Sequence, residues 1–152
     1  MAATLGSDLN FFIEDCTAAV CRGRGEQVTA IPVNGVRWFV AARPSTGNST
    51  PQVFSGLQLP TEHRSSLPLT TSLQNDNTIP PTKTLFNRLT TSACRLNPEM
   101  SALLRRLQHI ANRPALMSGS GSTCFTLCEN QSEAETIHQQ LPDNQKWVLH
   151  SA

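Results

Sequence analysis

The chain has 152 residues, of which 38% are hydrophobic, and a formal net charge of +1. This length fits one domain of ordinary size, or a small domain with part of another. So balanced a charge gives no basic face for nucleic acid, and no apolar run approaches the ~20 residues that cross a bilayer. Residues 1–8 lack the basic start and apolar segment of a signal peptide. We therefore expect neither a nucleic-acid nor a membrane partner, while the oligomeric state stays open.

The number and spacing of the cysteines indicate the cellular compartment of the protein. The five cysteines are odd in number and form no CxxC pair: Cys16, Cys21, Cys94, Cys124 and Cys128. Reduced thiols in a cytoplasmic protein are the simplest interpretation. Zinc binding by Cys124, Cys128 and a histidine is an alternative, but this spacing fits no common zinc motif. We therefore predict no metal site.

The first third of the chain predicts three strands. Residues 17–21 and 27–31 are β-prone and flank a turn with glycines at alternate positions, which suits a hairpin. Residues 37–42 give the strongest strand pattern. Pro51 then suits the first turn of a short helix capped by Ser49 or Thr50.

The middle of the chain changes from polar to strongly periodic. Residues 56–81 have no periodicity and predict a long polar surface loop. Residues 83–96 and 98–112 carry apolar side chains at i, i+3, i+4 and i+7, which predicts two amphipathic helices. Asn97 is placed to cap the second of them.

The last third predicts two strands, a helix and a final strand. Residues 114–117 and 123–128 are the strands, and Ser132 with Glu135 forms a capping box that begins the helix. Residues 147–149 form the final strand. From residue 37 onward this order predicts an α+β domain with helices packed on one face of a sheet.

Five small residues stand between the two strands of the last third, namely Ser118, Gly119, Ser120, Gly121 and Ser122. Glycine reaches positive φ freely, so such a loop can place several backbone N–H groups around an anion. The alternatives are a flexible linker and a tight hairpin turn. Two flanking strands favour a shaped loop, although the loop alone names no ligand.

Six segments in this order, LGSDLNFFI, GRGE, STPQVF, NRL, NPEM and MSGSGSTCF, resemble the C-terminal part of the GHMP small-molecule kinases. The resemblance implies a two-domain kinase with its active site in the cleft between the domains. It would move the γ-phosphoryl group of ATP, bound with Mg²⁺, onto a hydroxyl of a small molecule carrying a cytidyl diphosphate. By this resemblance residues 1–34 are the tail of the N-terminal domain. Residues 35–152 are the C-terminal domain, with the polar loop at 56–81.

The resemblance also assigns roles to individual residues. Asp8 matches the aspartate that takes the proton of the substrate hydroxyl, where a carboxylate can orient the nucleophile. Phe54 would stack on the cytosine ring, and Thr50 would form a hydrogen bond nearby. The loop 118–122 would close over the phosphates. Without the resemblance, Asp8 would be interpreted as a turn residue, and Phe54 could equally be a residue of the hydrophobic core.

The chain departs from the family pattern in three respects. Asn10 stands where the family usually has proline, and Arg88 where it often has aspartate. The family's glycine-rich ATP loop is missing, so we expect a C-terminal portion that does not turn over ATP alone. The alternatives are a non-catalytic ligand-binding or partner-binding module of the same fold, or another GHMP small-molecule kinase.

Overall fold

The computed structural model describes residues 9–14, 16–58, 64–75, 80, 82–142 and 145–151. The helices in this part of the chain are Leu9–Ile13 (α1), Thr50–Ser55 (α2), Leu67–Gln74 (α3), Thr90–Leu96 (α4), Pro98–Ala111 (α5) and Gln131–Gln140 (α6). The strands are Ala19–Arg22 (β1), Gln27–Ala30 (β2), Trp38–Arg43 (β3), Leu116–Met117 (β4), Cys124–Cys128 (β5) and Gln145–His150 (β6).

A four-stranded antiparallel sheet in the order β4-β5-β3-β6 is the centre of the fold, and β1 and β2 form a separate hairpin. The central strand β3 pairs on both sides, so that Val40 lies opposite Thr126 of β5 and Val148 of β6. Val40 and Ala42 are completely buried within the hydrophobic core. The other face carries Trp147 and Leu149, which are 42% and 47% exposed. Helices therefore cover one face, and the predicted α+β fold is confirmed.

Helix α5 packs against the sheet through an apolar stripe that was predicted from the sequence. Its buried residues are Met100, Leu103, Leu104, Leu107 and Ala111. Asn97 caps the helix, since its side chain accepts a hydrogen bond from the backbone N–H of Met100 at 2.9 Å. Asn112 ends the helix in the left-handed conformation. The prediction of a helix over 98–112 is confirmed.

The helix predicted over 83–96 is wrong in its first half. Residues Thr82–Thr84 form a short 3-10 turn, and α4 begins only at Thr90. The cause is Asn87, whose side-chain oxygen accepts a hydrogen bond from the backbone N–H of Leu89 at 2.9 Å. An asparagine side chain that bonds the nearby backbone in this way competes with helix formation.

The polar stretch 56–81, predicted to be a loop, contains helix α3. Pro68 lies in its first turn, where proline is tolerated. At its other end the guanidinium of Arg37 donates hydrogen bonds to the carbonyls of Leu73 and Asn75 at 3.1 and 3.0 Å. Arg37 is 36 residues away from Leu73 in the chain, so local periodicity could not predict this helix.

Element boundaries near the C-terminal end also differ from the predictions, and strand β6 extends over Gln145–His150 instead of 147–149. Helix α6 begins at Gln131 and is capped by Asn130, whose side chain accepts from the N–H of Glu133 at 2.9 Å. The predicted capping box at Ser132 is therefore two residues late. Strand β4 has only two residues instead of the predicted four. In the described part of the chain, no helix is long and apolar enough to cross a membrane.

Candidate functional site

The glycine-serine loop, residues 118–122, joins β4 to β5. Within it the N–H of Ser118 donates to the carbonyl of Thr123, and the N–H of Gly121 donates to the carbonyl of Ser118, both at 2.9 Å. Gly119 and Gly121 have φ angles of +54° and +93°, which favour glycine. Among the described residues, the N–H groups of Gly119, Ser120 and Ser122 have no protein acceptor. The loop is thus a shaped hairpin connection with three backbone donors free.

Three asparagines hold the outside of this loop. Asn48 donates to the carbonyl of Ser120 at 2.8 Å. Asn87 donates to the carbonyls of Gly119 and Met117, both at 2.7 Å. Asn97 supports Asn48 by donating to its side-chain oxygen at 2.9 Å. Because these bonds occupy loop carbonyls, they fix the loop without using its N–H groups.

The loop and helix α2 meet at a pair of hydroxyls. The Oγ atoms of Thr50 and Ser120 lie 2.8 Å apart. Helix α2 is anchored through buried Val53, whose carbonyl accepts a hydrogen bond from Ser92 at 2.7 Å. Phe54, next along α2, is 55% exposed. The structure therefore brings Thr50 to the loop and leaves the ring of Phe54 available for contact.

Asp8, the predicted proton acceptor, lies outside the described residues. The segment just after it is tied to the β1–β2 hairpin, because Asn10 donates to the carbonyl of Glu26 at 2.8 Å. This bond gives a structural role to the asparagine that replaces the family's usual proline. The role of Asp8 remains a prediction.

Arg88, the other departure from the family pattern, borders a small cavity of about 150 Å³. Arg95 and Gly56 also line this cavity. Gly56 follows the last turn of α2, which carries Phe54. Arg88 therefore lies beside the C-terminal end of this helix, where the family often has an acidic residue.

The buried thiols of β5 have pKa values that make them poor nucleophiles and poor metal ligands. Burial raises the pKa of Cys124 to about 12, with a smaller contribution from Cys94. Burial likewise raises the pKa of Cys128 to about 11, with Glu133 adding to the effect. Both thiols stay protonated at neutral pH, whereas metals bind the thiolate. Within the described ranges, no group of three or more His, Cys, Asp or Glu side chains is placed to hold a metal.

The sequence analysis missed the bond of Asn48 to the loop, the bonds of Asn87 to the carbonyls of Met117 and Gly119, and the support that Asn97 gives to Asn48. Asn87 and Asn97 belong to the NRL and NPEM segments, so the family resemblance contained a signal. Nothing in the local pattern distinguishes Asn48 from its polar neighbours. Its partner Ser120 lies 72 residues further along the chain.

We predict that Asn97→Ala lowers the free energy of unfolding by about 2–3 kcal/mol. About 1 kcal/mol comes from the lost helix cap, and the rest from the lost hydrogen bonds of the buried Asn97 amide to Asn48 and to the carbonyl of Thr46. Urea unfolding followed by circular dichroism measures the change. Asn97→Ser is the matched control because its hydroxyl oxygen keeps a cap acceptor without adding a charge, while the amide donor is lost. It should cost less than Asn97→Ala, and equal costs for the two variants would contradict the separation of roles.

Comparison with known families gives a match in the second half of the chain. Residues 81–146 match the family described as GHMP kinases C terminal. The matched range includes α4, α5, the glycine-serine loop and α6. It excludes Thr50 and Phe54, and the contact between Thr50 and the loop is given by the structure.

Relatives of known name are about one-third identical to the chain over the residues that match. A putative 4-diphosphocytidyl-2-C-methyl-D-erythritol kinase of Staphylococcus epidermidis is 34% identical over 138 residues, which are 90% of this chain and 49% of that protein. A 4-diphosphocytidyl-2-C-methyl-D-erythritol kinase of Listeria monocytogenes is 31% identical over 142 residues, which are 93% of this chain and 48% of that protein. The chain thus spans about half the length of the relatives it matches.

Solved structures agree with these relatives. A crystal structure of 4-(cytidine 5'-diphospho)-2C-methyl-D-erythritol kinase superimposes with a TM-score of 0.79 and 28% identity. The superposition covers 96% of this chain and 53% of the other. The homoserine kinase of Cytophaga hutchinsonii gives a TM-score of 0.62 at 18% identity, over 83% of this chain and 44% of the other. The second likeness shows a shared fold alone.

Proposed function

Since this chain belongs to the GHMP kinases through its C-terminal domain, we propose that it serves in ATP-dependent phosphorylation of 4-diphosphocytidyl-2-C-methyl-D-erythritol. The acceptor is a hydroxyl of that molecule, and the reaction is a step of isoprenoid precursor synthesis. The observation that carries the proposal is the likeness to the solved kinase of that name along 96% of this chain. The homoserine kinase likeness at 18% identity gives no comparable support for another substrate.

In this proposal residues 1–34 belong to the domain that precedes the cleft, and residues 35–152 form the domain that completes it. The glycine-serine loop contacts phosphate through the N–H groups of Gly119, Ser120 and Ser122. The hydroxyls of Ser118 and Ser120 add further donors. Donors that are fixed before the reaction stabilise the charge of a transferring phosphoryl group without reorganisation. The asparagine contacts to the loop carbonyls supply this rigidity.

Helix α2 provides the contact to the cytidyl group in this proposal. Phe54 exposes an aromatic face on which a cytosine ring can stack. Thr50 lies one turn earlier on α2 and already contacts the loop through Ser120. A ligand with its cytosine on Phe54 and its diphosphate at the loop would therefore extend along α2.

The chemistry of transfer requires groups beyond the described residues. ATP with Mg²⁺ supplies the phosphoryl group and neutralises its charge, and Asp8 accepts the proton of the attacking hydroxyl. Phosphoryl transfer depends mainly on positioning and charge stabilisation. The proposed roles of the loop and of α2 are accordingly to bind and orient.

A domain graft tests this function and predicts the effect of Phe54→Ala. The chain replaces the matching half of the Listeria monocytogenes relative, and ADP release is followed with 4-diphosphocytidyl-2-C-methyl-D-erythritol as acceptor. Phe54→Ala should raise KM for the acceptor by about 5- to 150-fold, since base stacking on an aromatic side chain contributes ~1–3 kcal/mol. The KM for ATP should stay within twofold.

Phe54→Tyr is the matched control and should keep the KM of the graft within threefold, because the aromatic face is retained. If a folded graft releases ADP only with other small alcohols, the proposed substrate is wrong and the activity is that of another GHMP kinase. A folded graft that is inactive with every acceptor, although it binds the cytidyl compound, would favour the non-catalytic module.

A further inference from the structure

A second concave site lies at the same end of the sheet as the glycine-serine loop. It is a cavity of about 550 Å³ between the end of β3, the first half of α5 and the start of β6. Its walls include Arg43, Glu99, Arg106 and Gln145. Neither Thr50, Phe54 nor any residue of the loop lines it, so it is separate from the candidate site described above.

The charged side chains that line this cavity are two arginines and one glutamate, so their net charge is positive. Arg43 and Arg106 both line it, and within the described part of the chain neither guanidinium has a hydrogen-bond or ion-pair partner. By contrast Arg105, their neighbour on α5, donates to the hydroxyl of Ser101 at 2.8 Å. Two unpaired guanidinium groups that border one cavity form a recognisable anion-binding arrangement.

The carboxylate of Glu99 does not cancel this charge by pairing with either arginine. Its Oε2 atom accepts hydrogen bonds from Thr46 at 2.8 Å and from Ser45 at 2.9 Å. The hydrogen bond from Thr46, and to a smaller extent that from Ser45, holds the pKa of the Glu99 carboxyl below its ordinary value. The carboxylate of Glu99 therefore bonds the loop after β3, and the guanidinium groups of Arg43 and Arg106 keep their N–H donors for a ligand.

We propose that this cavity binds a small molecule through a phosphate or diphosphate group held by Arg43 and Arg106. Guanidinium donors match phosphate oxygens in a two-point geometry and are charged at every physiological pH. The volume lies in the range of small-molecule sites, ~300–1,000 Å³, and exceeds what one phosphate needs. The ligand is therefore a phosphorylated metabolite whose remaining part contacts Leu103 and Pro142 on the apolar side of the cavity. This inference does not rest on the proposed kinase function.

Pyrophosphate titration of the full chain tests the site. The Nε–H signals of Arg43 and Arg106 are followed by nitrogen-15 NMR at constant ionic strength, which keeps screening unchanged. Both signals should shift together and saturate. The affinity of each variant is followed through the backbone N–H signals of Leu103 and Gln145, which line the cavity. The double substitution R43Q/R106Q should weaken pyrophosphate binding at least tenfold, while Arg105→Gln, on the same helix, should change it less than twofold. Circular dichroism confirms that each variant is folded.

The opposite results would overturn the proposal. Equal affinity in R43Q/R106Q and the unaltered chain would show that the arginines do not bind the anion. Shifts confined to Gly119 and Ser120 would place pyrophosphate on the loop instead. Malonate, a dicarboxylate, tests whether the site prefers phosphate groups to carboxylates. It should bind at least tenfold more weakly than pyrophosphate. Equal binding of malonate would contradict a phosphate site.

Discussion

Asp8→Asn in the grafted kinase is expected to lower kcat by about 10²–10⁴-fold, which is the usual contribution of a positioned acid or base. The amide keeps the size of the side chain but cannot accept the proton of the attacking hydroxyl. The KM values for ATP and for the acceptor should change less than threefold, because the lost interaction acts mainly in the transition state. Steady-state ADP release at varied acceptor concentration separates the two parameters.

Glu14→Gln is the matched control for this prediction. Glu14 is an exposed carboxylate just after α1, and removing its charge should leave kcat within twofold. A similar loss of kcat in both variants would indicate a general effect of charge. An Asp8→Asn graft that keeps its kcat would remove Asp8 from the proposed mechanism while leaving the contacts of the loop unaffected.

Gly121→Ala is expected to be the most destabilising single change in the glycine-serine loop, at about 2–4 kcal/mol. Gly121 has a φ of +93°, where a side chain is strained. A Cβ atom there would also lie 2.9 Å from the sulfur of Met117 and 3.0 Å from that of Met100, and would collide with the amide of Asn48. Both methionines are buried, and Asn48 is held by two hydrogen bonds. None of the three can move away cheaply.

Gly119→Ala separates strain from collision, and thermal unfolding measures both variants. Gly119 also has positive φ, +54°, yet a Cβ there would meet nothing within 4 Å. Its cost should be about 1 kcal/mol, the ordinary penalty for a left-handed residue other than glycine. In a domain of this size that corresponds to a decrease in Tm of ~2–4 °C, against ~5–15 °C for Gly121→Ala. Equal decreases would show that the space around Gly121 is not as tight as the structure indicates.

The helices and strands with a strong local pattern were predictable from the sequence. Helix α5 combines an amide cap, a proline in its first turn and an unbroken apolar stripe, so that every local preference agrees. Strand β3 is apolar along nearly its whole length because helices cover one face and Phe39 meets Phe125 on the other. The position of the glycine-serine loop between two strands was likewise evident, because small residues interrupted two β-prone runs.

Elements that depend on distant partners were not predictable in this way. Helix α3 has a weak pattern of its own and ends where Arg37 donates to its last carbonyls. The late start of α4 follows from the bonds of Asn87 to its own backbone and to the loop. In each case a polar side chain binds a segment remote in sequence, which periodicity does not record.

The same division applies to the candidate site. The sequence by itself determined which residue types are present, namely an aspartate, an aromatic residue and a loop able to adopt positive φ. Only the tertiary structure decided that Thr50 meets Ser120, and that Asn48 and Asn87 bond carbonyls of the loop while N–H groups of the loop stay free. It also placed Arg43 and Arg106, which are 63 positions apart by their residue numbers, around one cavity. Chain folding brings these groups together through the antiparallel sheet, whose register is set by contacts between segments far apart in the sequence.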